Sequence, residues 1–415
     1  MPGLILAAPT SGSGKTTITL GLLRALRSRG VDVRGAKSGP DYIDPRFHAA
    51  ASGVPCPNLD AWAMSPAMIA GLAAGPGLLL IEGAMGLFDG APPDGRGAVA
   101  DLARQMALPT LLIVDAARMA QSLAPLVAGF ANHDSRVRIA GVILNRIGSP
   151  RHAAMLRAAC PLPVLGAIPR DEALTMPSRH LGLVQAEEHP ALEAFLDHAA
   201  RVMGDNIDLD TLAAQATDLP GAPLPHLPPP AQRIAVARDA AFAFAYPHML
   251  EGWHRAGAEI LPFSPLADDA APDADLVFLP GGYPELHAGR IAANQTFLAS
   301  LQGRAVHGEC GGYMVLGDGL IDAEGHRHAM AGLLRLETSF AHRKLHLGYR
   351  HLSGDHGSFA GRWTGHEFHY ATTLRATGTP LFAARDAEGT ALPAMGLREG
   401  SVSGSFAHVI APATT

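Results

Sequence analysis

Three groups of residues in this chain have the types and spacing that chemistry needs. The first is Ala8-Pro9-Thr10-Ser11-Gly12-Ser13-Gly14-Lys15-Thr16-Thr17, close to G-x-x-x-x-G-K-[ST] but with Pro9 in place of the first glycine. Such a loop aims backbone N–H groups and a helix N-terminus at phosphates. Gly12, Gly14, Lys15, Thr16 and Thr17 are the expected nucleotide-binding residues. Lys15 would reach the β- and γ-phosphates of ATP, and the Thr16 hydroxyl would ligate Mg²⁺.

The second group is acidic. Lys37-Ser38-Gly39-Pro40-Asp41-Tyr42-Ile43-Asp44-Pro45 brings one cation and two carboxylates to the end of an apolar run. The alternative there is a polar turn with Asp44 before Pro45. Glu82-Gly83-Ala84-Met85-Gly86-Leu87-Phe88-Asp89-Gly90 follows the run Gly77 to Ile81. A carboxylate ending a buried strand needs compensation, and Mg²⁺ beside the phosphate loop would supply it. The competing reading is a salt-bridged structural glutamate.

The third group is Gly308-Glu309-Cys310-Gly311-Gly312. Small residues on both sides of Cys310 have the layout of a nucleophile elbow. The helix N-terminus after it is expected to lower the thiol pKa and favour thiolate. The N–H of Gly311, with one from Gly281-Gly282, would form an oxyanion hole, so Gly282 and Gly311 are the oxyanion candidates. Against this stands the ordinary isolated cysteine, a small buried hydrophobe. A cysteine nucleophile needs a base, and spacing alone does not choose among His366, His369 and His408.

Parallel strands must position these groups. Leu4 to Ala8, Val31 to Ala36, Gly77 to Ile81, Pro109 to Asp115, Arg138 to Asn145 and Pro163 to Pro169 read as strands. Helical patterns separate them, at Ile18 to Leu26, Val99 to Met106, Ser122 to Phe130 and His152 to Ala159. Alternation of this kind predicts an α/β fold with a covered parallel sheet, whose strand ends collect ligands. Asn145, at one such end, either reads the adenine edge or caps a turn. Six prolines between Pro220 and Pro230 mark a stiff extended stretch. The expected organisation is therefore a phosphate-loop domain over 1–203, a linker over 204–232 and a second α/β domain over 233–415. The second domain restarts with strands at Arg233 to Ala237, Glu259 to Pro262, Asp275 to Pro280 and Arg304 to Gly308.

Composition bounds the function. A chain of 415 residues with a net charge of −6 lacks the basic footprint of a nucleic-acid binder. Its three cysteines make no disulfide framework, and there is no C-x-x-C pair for zinc. No charged region precedes the first apolar run as in a signal peptide, and no apolar stretch is long enough to span a membrane. A reducing cytoplasm is the expected compartment.

Read together, the motifs resemble the cobyrinic acid or hydrogenobyrinic acid a,c-diamide synthase family. Its members fuse a dethiobiotin synthetase-like ATP domain to a class I-type glutamine amidotransferase domain. The resemblance spans nearly the whole chain and rests on the three groups above. Pro280-Gly281-Gly282-Tyr283-Pro284-Glu285, Gly365-His366-Glu367-Phe368-His369-Tyr370 and Gly404-Ser405-Phe406-Ala407-His408 also carry it. It implies Cys310 as the glutaminase nucleophile and His408 as its base. It implies Lys15, Thr16 and Lys37 around ATP, and Thr16, Asp41 and Glu82 around Mg²⁺. Asp41, Tyr42 and Asp44 would position the acid substrate. The substrates implied are a tetrapyrrole (corrinoid) polycarboxylate and L-glutamine, and the assembly implied is a homodimer. Ordinary triad amidotransferases carry a Glu two residues after the His, where this chain has Ile410. What orients His408 is thus open at this level.

The chemistry explains the fusion. A carboxylate is a poor acyl donor, and phosphorylation by ATP gives it a good leaving group. Ammonia released from glutamine through a thioester on Cys310 then forms the amide. The alternatives are a synthase that amidates nickel-sirohydrochlorin and a phosphate-loop ATPase switch without synthetase chemistry, which would have no use for Cys310.

Overall fold

The computed structural model describes residues 1–179, 182–224 and 226–413. The chain divides into two compact units, Met1–Pro225 and His226–Thr415.

The first unit runs β1 (Pro2–Ala7), α1 (Lys15–Ser28), β2 (Val33–Ser38), α2 (Asp44–Ser52), β3 (Asn58–Leu59), α3 (Pro66–Ala73), β4 (Leu78–Glu82) and α4 (Val99–Met106). It continues through β5 (Thr110–Asp115), α5 (Leu123–His133), β6 (Ile139–Ile147), α6 (Pro150–Ala159), β7 (Val164–Pro169) and a short hairpin, β8 (Ser178–Arg179) with β9 (Gly182–Leu183). The unit closes with α7 (Leu192–Asn206), α8 (Leu209–Ala213) and β10 (Thr217–Asp218). The sheet order is β3-β2-β4-β1-β5-β6-β7, and every pair along it is parallel. A strand buried on both faces reads as a continuous apolar run, which is why Leu78–Glu82 is buried throughout. Each leucine of such a strand contributes roughly 1.5–3 kcal/mol on burial. Parallel pairing sends the ends of β1, β2, β4 and β5 to one edge, so the phosphate loop after β1 lies between Glu82 and Asp115. Helix α1 packs on α7 closely: a Cβ at Gly21 would lie 2.8 Å from the Ala199 carbonyl oxygen. Gly30, just past α1, has φ 78°, the left-handed stop that its position predicts.

The extended linker expected over 204–232 needs correction in its first half. Residues 204–218 hold the end of α7, all of α8 and β10, which pairs antiparallel with the start of β1 through Gly3–Thr217 and Pro2–Asp218. The proline count obscured a short apolar pattern, in which Leu209 and Leu212 are buried. Pro225, also in that stretch, lies outside the described residues.

The second unit begins β11 (Arg233–Ala237), α9 (Pro247–Arg255), β12 (Glu259–Phe263), β13 (Leu276–Leu279), α10 (Ala288–Ala293), α11 (Gln295–Ser300), β14 (Val306–Glu309) and α12 (Gly311–Val315). Its later part is almost all strand: β15 (Gly319–Ile321), β16 (Arg327–Ala329), β17 (Arg335–Ser339), β18 (His346–Gly354), β19 (Gly361–His369) and β20 (Thr372–Thr377). Then come β21 (Thr379–Arg385), β22 (Met395–Glu399), β23 (Val402–Ser405) and β24 (Ala407–Pro412). The main sheet is ordered β12-β11-β13-β14-β23-β22-β21-β18-β19-β24, with β12 through β23 parallel and the rest antiparallel. The antiparallel half has alternating or exposed faces rather than apolar runs, so its strands are less visible in sequence. The core beneath the elbow includes Val277, Leu279, Val306, Tyr313, Met314 and Leu316. Among the described residues no helix is long and apolar enough to cross a membrane.

Candidate functional site

In the first unit, Gly14 precedes α1 with φ 89°, and a Cβ there would stand 2.2 Å from Asn145 Nδ2. Asn145 Nδ2 donates to the Ser13 carbonyl at 2.9 Å. Its amide therefore braces the loop from β6, and Asn145 also lines the cleft beside it. Lys15 Nζ donates to the Met85 carbonyl at 2.5 Å, reaching over the loop that follows β4. Burial, with Lys37 nearby, lowers the Lys15 pKa to about 8. Thr17 Oγ1 donates to the Leu174 carbonyl at 3.3 Å.

Beside the loop lies a buried ionic cluster. Lys37 Nζ donates to Asp44 Oδ2 at 2.5 Å and Glu82 Oε1 at 2.7 Å, with Asp41 Oδ2 at 4.0 Å. Thr16 Oγ1 lies 2.6 Å from Glu82 Oε1 and 3.4 Å from Asp44 Oδ2. Burial alone would neutralise Lys37, but Asp44, Glu82 and Asp41 outweigh it and hold its pKa well above the ordinary value. Burial, with Asp41 adding like charge, pushes Asp44 up to about 7. Glu82 is completely buried, which would raise its pKa, yet Lys37 and His48 hold it well below the carboxylate range.

Two placements depart from expectation. Asp41 Oδ1 accepts the backbone N–H of Ile43 and Asp44, so half of that carboxylate is committed to starting α2. Asp44 joins Thr16 and Glu82 at the expected metal position, and Asp41 sits at the rim. Tyr42 is 9% exposed and does not line the cleft, because its aromatic ring is packed into the core. The cleft itself has a volume of about 820 Å³ and is lined by the phosphate loop, Lys37, Asp41, Asp44, Glu82 and the ends of β5 to β7.

His48 was not legible as a functional residue. Its Nε2 lies 2.6 Å from Glu82 Oε2, and a Cβ on Gly35 would meet its Nδ1 at 2.8 Å. The signal was the spacing of Asp44 and His48, four residues apart on one helix face. Burial opposes its protonation, but Cys56 and Glu82 raise its pKa to about 10.

In the second unit, the ends of β13, β14 and β23 meet. Cys310 has φ 47° and ψ −106°, a sharp strand-to-helix turn. Its neighbours are glycine for steric reasons: a Cβ on Gly308 would lie 2.7 Å from Tyr313 N, and one on Gly312 would lie 1.9 Å from the Leu279 carbonyl oxygen. Gly281 fills the space between the two candidate catalytic residues, since its Cβ would be 2.3 Å from His408 Cε1, 2.7 Å from His408 Nε2 and 3.1 Å from Cys310 Cβ. The backbones of Gly282 and Gly311 also touch, with Gly282 N 3.1 Å from where a Gly311 Cβ would stand. His408 therefore stands beside Cys310. His366 lies opposite His408 in the β19–β24 pairing, and His369 stacks on Phe406 at 4.0 Å.

The expected thiolate is not what this site favours. Burial, with Glu285 next in weight, pushes the Cys310 thiol well above its ordinary range, although the Gly311 N–H acts the other way. A five-residue helix adds little opposing field. Cys310 rests as a thiol, 2% exposed. On the far side of His408, Glu309 Oε2 lies 3.5 Å from Nδ1, while Glu309 Oε1 accepts the Val409 N–H at 2.9 Å. Glu309 sits inside the quoted Gly308-Glu309-Cys310 motif, yet nothing in spacing pointed from it to a residue about a hundred positions away.

Both units match known families. Residues 4–184 match the CobQ/CobB/MinD/ParA nucleotide binding domain, and residues 233–414 match the CobB/CobQ-like glutamine amidotransferase domain. Full-length relatives bear the name hydrogenobyrinate a,c-diamide synthase. The chain is 56% identical to that of Brucella anthropi, covering 99% of this chain and 98% of the relative. It is 55% identical to that of Rhizobium meliloti, over 99% of each chain. Against that of Rhodobacter capsulatus it is 55% identical, over 99% of this chain and 98% of the relative.

Proposed function

Because the chain belongs to the hydrogenobyrinate a,c-diamide synthase family, we propose that it amidates the a- and c-carboxylates of hydrogenobyrinic acid with ATP and glutamine. It is a carbon–nitrogen ligase with a nucleotide-binding unit and a glutamine amidotransferase unit. The observation that carries the finer reading is the pairing of chemistries in one chain. One unit sets a phosphate loop beside buried carboxylates, and the other sets a thiol beside an imidazole.

At Cys310 the thiol proton passes to His408 Nε2 as sulfur attacks the amide carbon of glutamine. The N–H groups of Gly282 and Gly311 receive the developing oxyanion. His408 returns the proton to the departing nitrogen, ammonia leaves, and water hydrolyses the thioester to glutamate. In the other unit a substrate carboxylate oxygen attacks the γ-phosphorus of ATP and ADP departs. Ammonia attacks the resulting acyl phosphate and inorganic phosphate leaves. Lys15 binds the phosphates, and the cleft excludes the water that would hydrolyse the acyl phosphate.

Thr16, Asp44 and Glu82 offer only oxygen donors, which suits Mg²⁺, and the seat of Lys37 among the carboxylates fits a cation. Bound there, Mg²⁺ would neutralise charge on the β- and γ-phosphates. Asp41, at the rim, is the carboxylate left to meet the substrate. The proposed setting is the cytoplasm, and the proposed assembly is a homodimer, as the resemblance implies.

The test is product analysis. Purified protein with ATP, Mg²⁺ and glutamine is given hydrogenobyrinic acid, cobyrinic acid or nickel-sirohydrochlorin, and amidation is followed by chromatography and mass. Diamide from hydrogenobyrinic acid at the highest kcat/KM supports the reading. Preference for either other acid reassigns the substrate, and no amidation of any removes it.

A further inference from the structure

We propose that Glu309 is the positioning residue for His408, supplying from the strand before the nucleophile the carboxylate that Ile410 does not. The role presupposes Cys310 as nucleophile and His408 as its base.

The two nitrogens of the His408 ring face different neighbours. Nε2 points toward the space between Gly281 and Cys310, as the close approach of a Gly281 Cβ to both His408 and Cys310 shows. Nδ1 faces Glu309 Oε2 at 3.5 Å. A base that receives a proton on Nε2 must carry its resting proton on Nδ1, and a carboxylate facing Nδ1 favours that tautomer. The separation is just longer than a hydrogen bond, as expected of a catalytic contact that tightens with substrate.

The carboxylate is itself anchored. Its other oxygen, Oε1, accepts the Val409 N–H at 2.9 Å, so Glu309 is tied to the residue next to His408. Both side chains are buried, 0% exposed for His408 and 4% for Glu309, which shields their interaction from solvent. Glu309 also immediately precedes Cys310 and pairs with Ser405 in the β14–β23 register. One residue thus sets the distance between the base and the turn that carries the nucleophile.

The other groups around the ring do not serve. His366 lies across the β19–β24 pairing, and burial, with His408 and Arg350 adding to it, pushes its pKa down to about 3, so it is neutral. Tyr246 meets the ring edge-on at 6.3 Å. Glu285 and Glu367, like Glu309 itself, act on Cys310.

Glu309→Gln tests this, because glutamine keeps an oxygen for Val409 and removes the charge facing Nδ1. Glutamine-dependent kcat should fall about 100-fold with KM for glutamine changed less than about twofold. Glu309→Asp should recover part of the rate. Synthesis from ammonia reports separately on the folding of the chain. Wild-type kcat in Glu309→Gln would overturn the proposal, as would a loss carried in KM alone with no recovery in Glu309→Asp. If Cys310→Ala still hydrolyses glutamine, the nucleophile assignment fails instead, whatever Glu309→Gln does.

Discussion

His48 Nε2 lies 2.6 Å from Glu82 Oε2, and neither side chain is exposed. Glu82 Oε1 on the other side takes Thr16 and Lys37. Both oxygens of this carboxylate are therefore held by groups that favour its charged form, which is how a fully buried glutamate stays ionised at the end of an apolar strand.

That pair predicts a pH dependence. Cys56 and Glu82 hold the folded His48 pKa at about 10, above the ordinary histidine value of 6.5. A raised basic pKa contributes stability that is fully present below pH ~6.5 and lost as pH rises toward ~10, on the order of a few kcal/mol. His48→Gln should therefore destabilise strongly at pH 6 and much less at pH 10. Thermal melts of both proteins at pH 6, 8 and 10 measure it, and a gap that does not change with pH would disprove it.

Lys15→Ala should abolish synthesis from either nitrogen source, by roughly 100-fold or more, because the charge clamp on the transferred phosphoryl group is lost. Cys310→Ala should lose synthesis from glutamine and keep synthesis from ammonia. Unchanged synthesis in Lys15→Ala would mean that Pro9 marks a loop that does not bind ATP productively.

Asp44→Asn and Asp41→Asn should differ in kind. Asp44 shares Thr16 and Lys37 with Glu82, so its loss should slow both amidations alike and weaken Mg²⁺ dependence. Asp41 sits at the rim, so its loss should stall the enzyme at a monoamide or change which carboxylate reacts. Mass analysis of products over time separates the two patterns, and diamide at wild-type rates from both variants would reduce the cluster to a structural turn.

Gly281→Ala places a Cβ 2.3 Å from His408 Cε1 and 3.1 Å from Cys310 Cβ. His408 must move, so glutaminase activity should drop by about 100-fold or more while synthesis from ammonia continues. Glutamine hydrolysis near the wild-type rate would show that the ring has room the packing does not suggest.

The elements around these residues were readable to very different degrees. Helix α4 falls on the expected Val99–Met106, and the first-unit strands fall within a few residues of their apolar runs, because burial on both faces writes itself as continuous hydrophobicity. The glycines around Cys310 were readable because sterics there admit nothing larger. His48 and Glu309 were not, since a buried polar side chain has meaning only through its partner. Glu82 is 34 residues from His48 and arrives at the end of β4, not on the helix that carries His48. The Cys310 pKa failed for a related reason: the local rule for a helix N-terminus is visible in sequence, whereas burial and Glu285 are not. The proline-rich stretch misled in the other direction, hiding the return of β10 to β1.

The resting thiol at Cys310 has a consequence for the life of the enzyme. Peroxide and alkylating reagents attack thiolates, and burial keeps this sulfur protonated and nearly inaccessible. A free cysteine held in this way is kept off the oxidation ladder. Under mild peroxide, the partly exposed Cys160 should be sulfenylated before the buried Cys310.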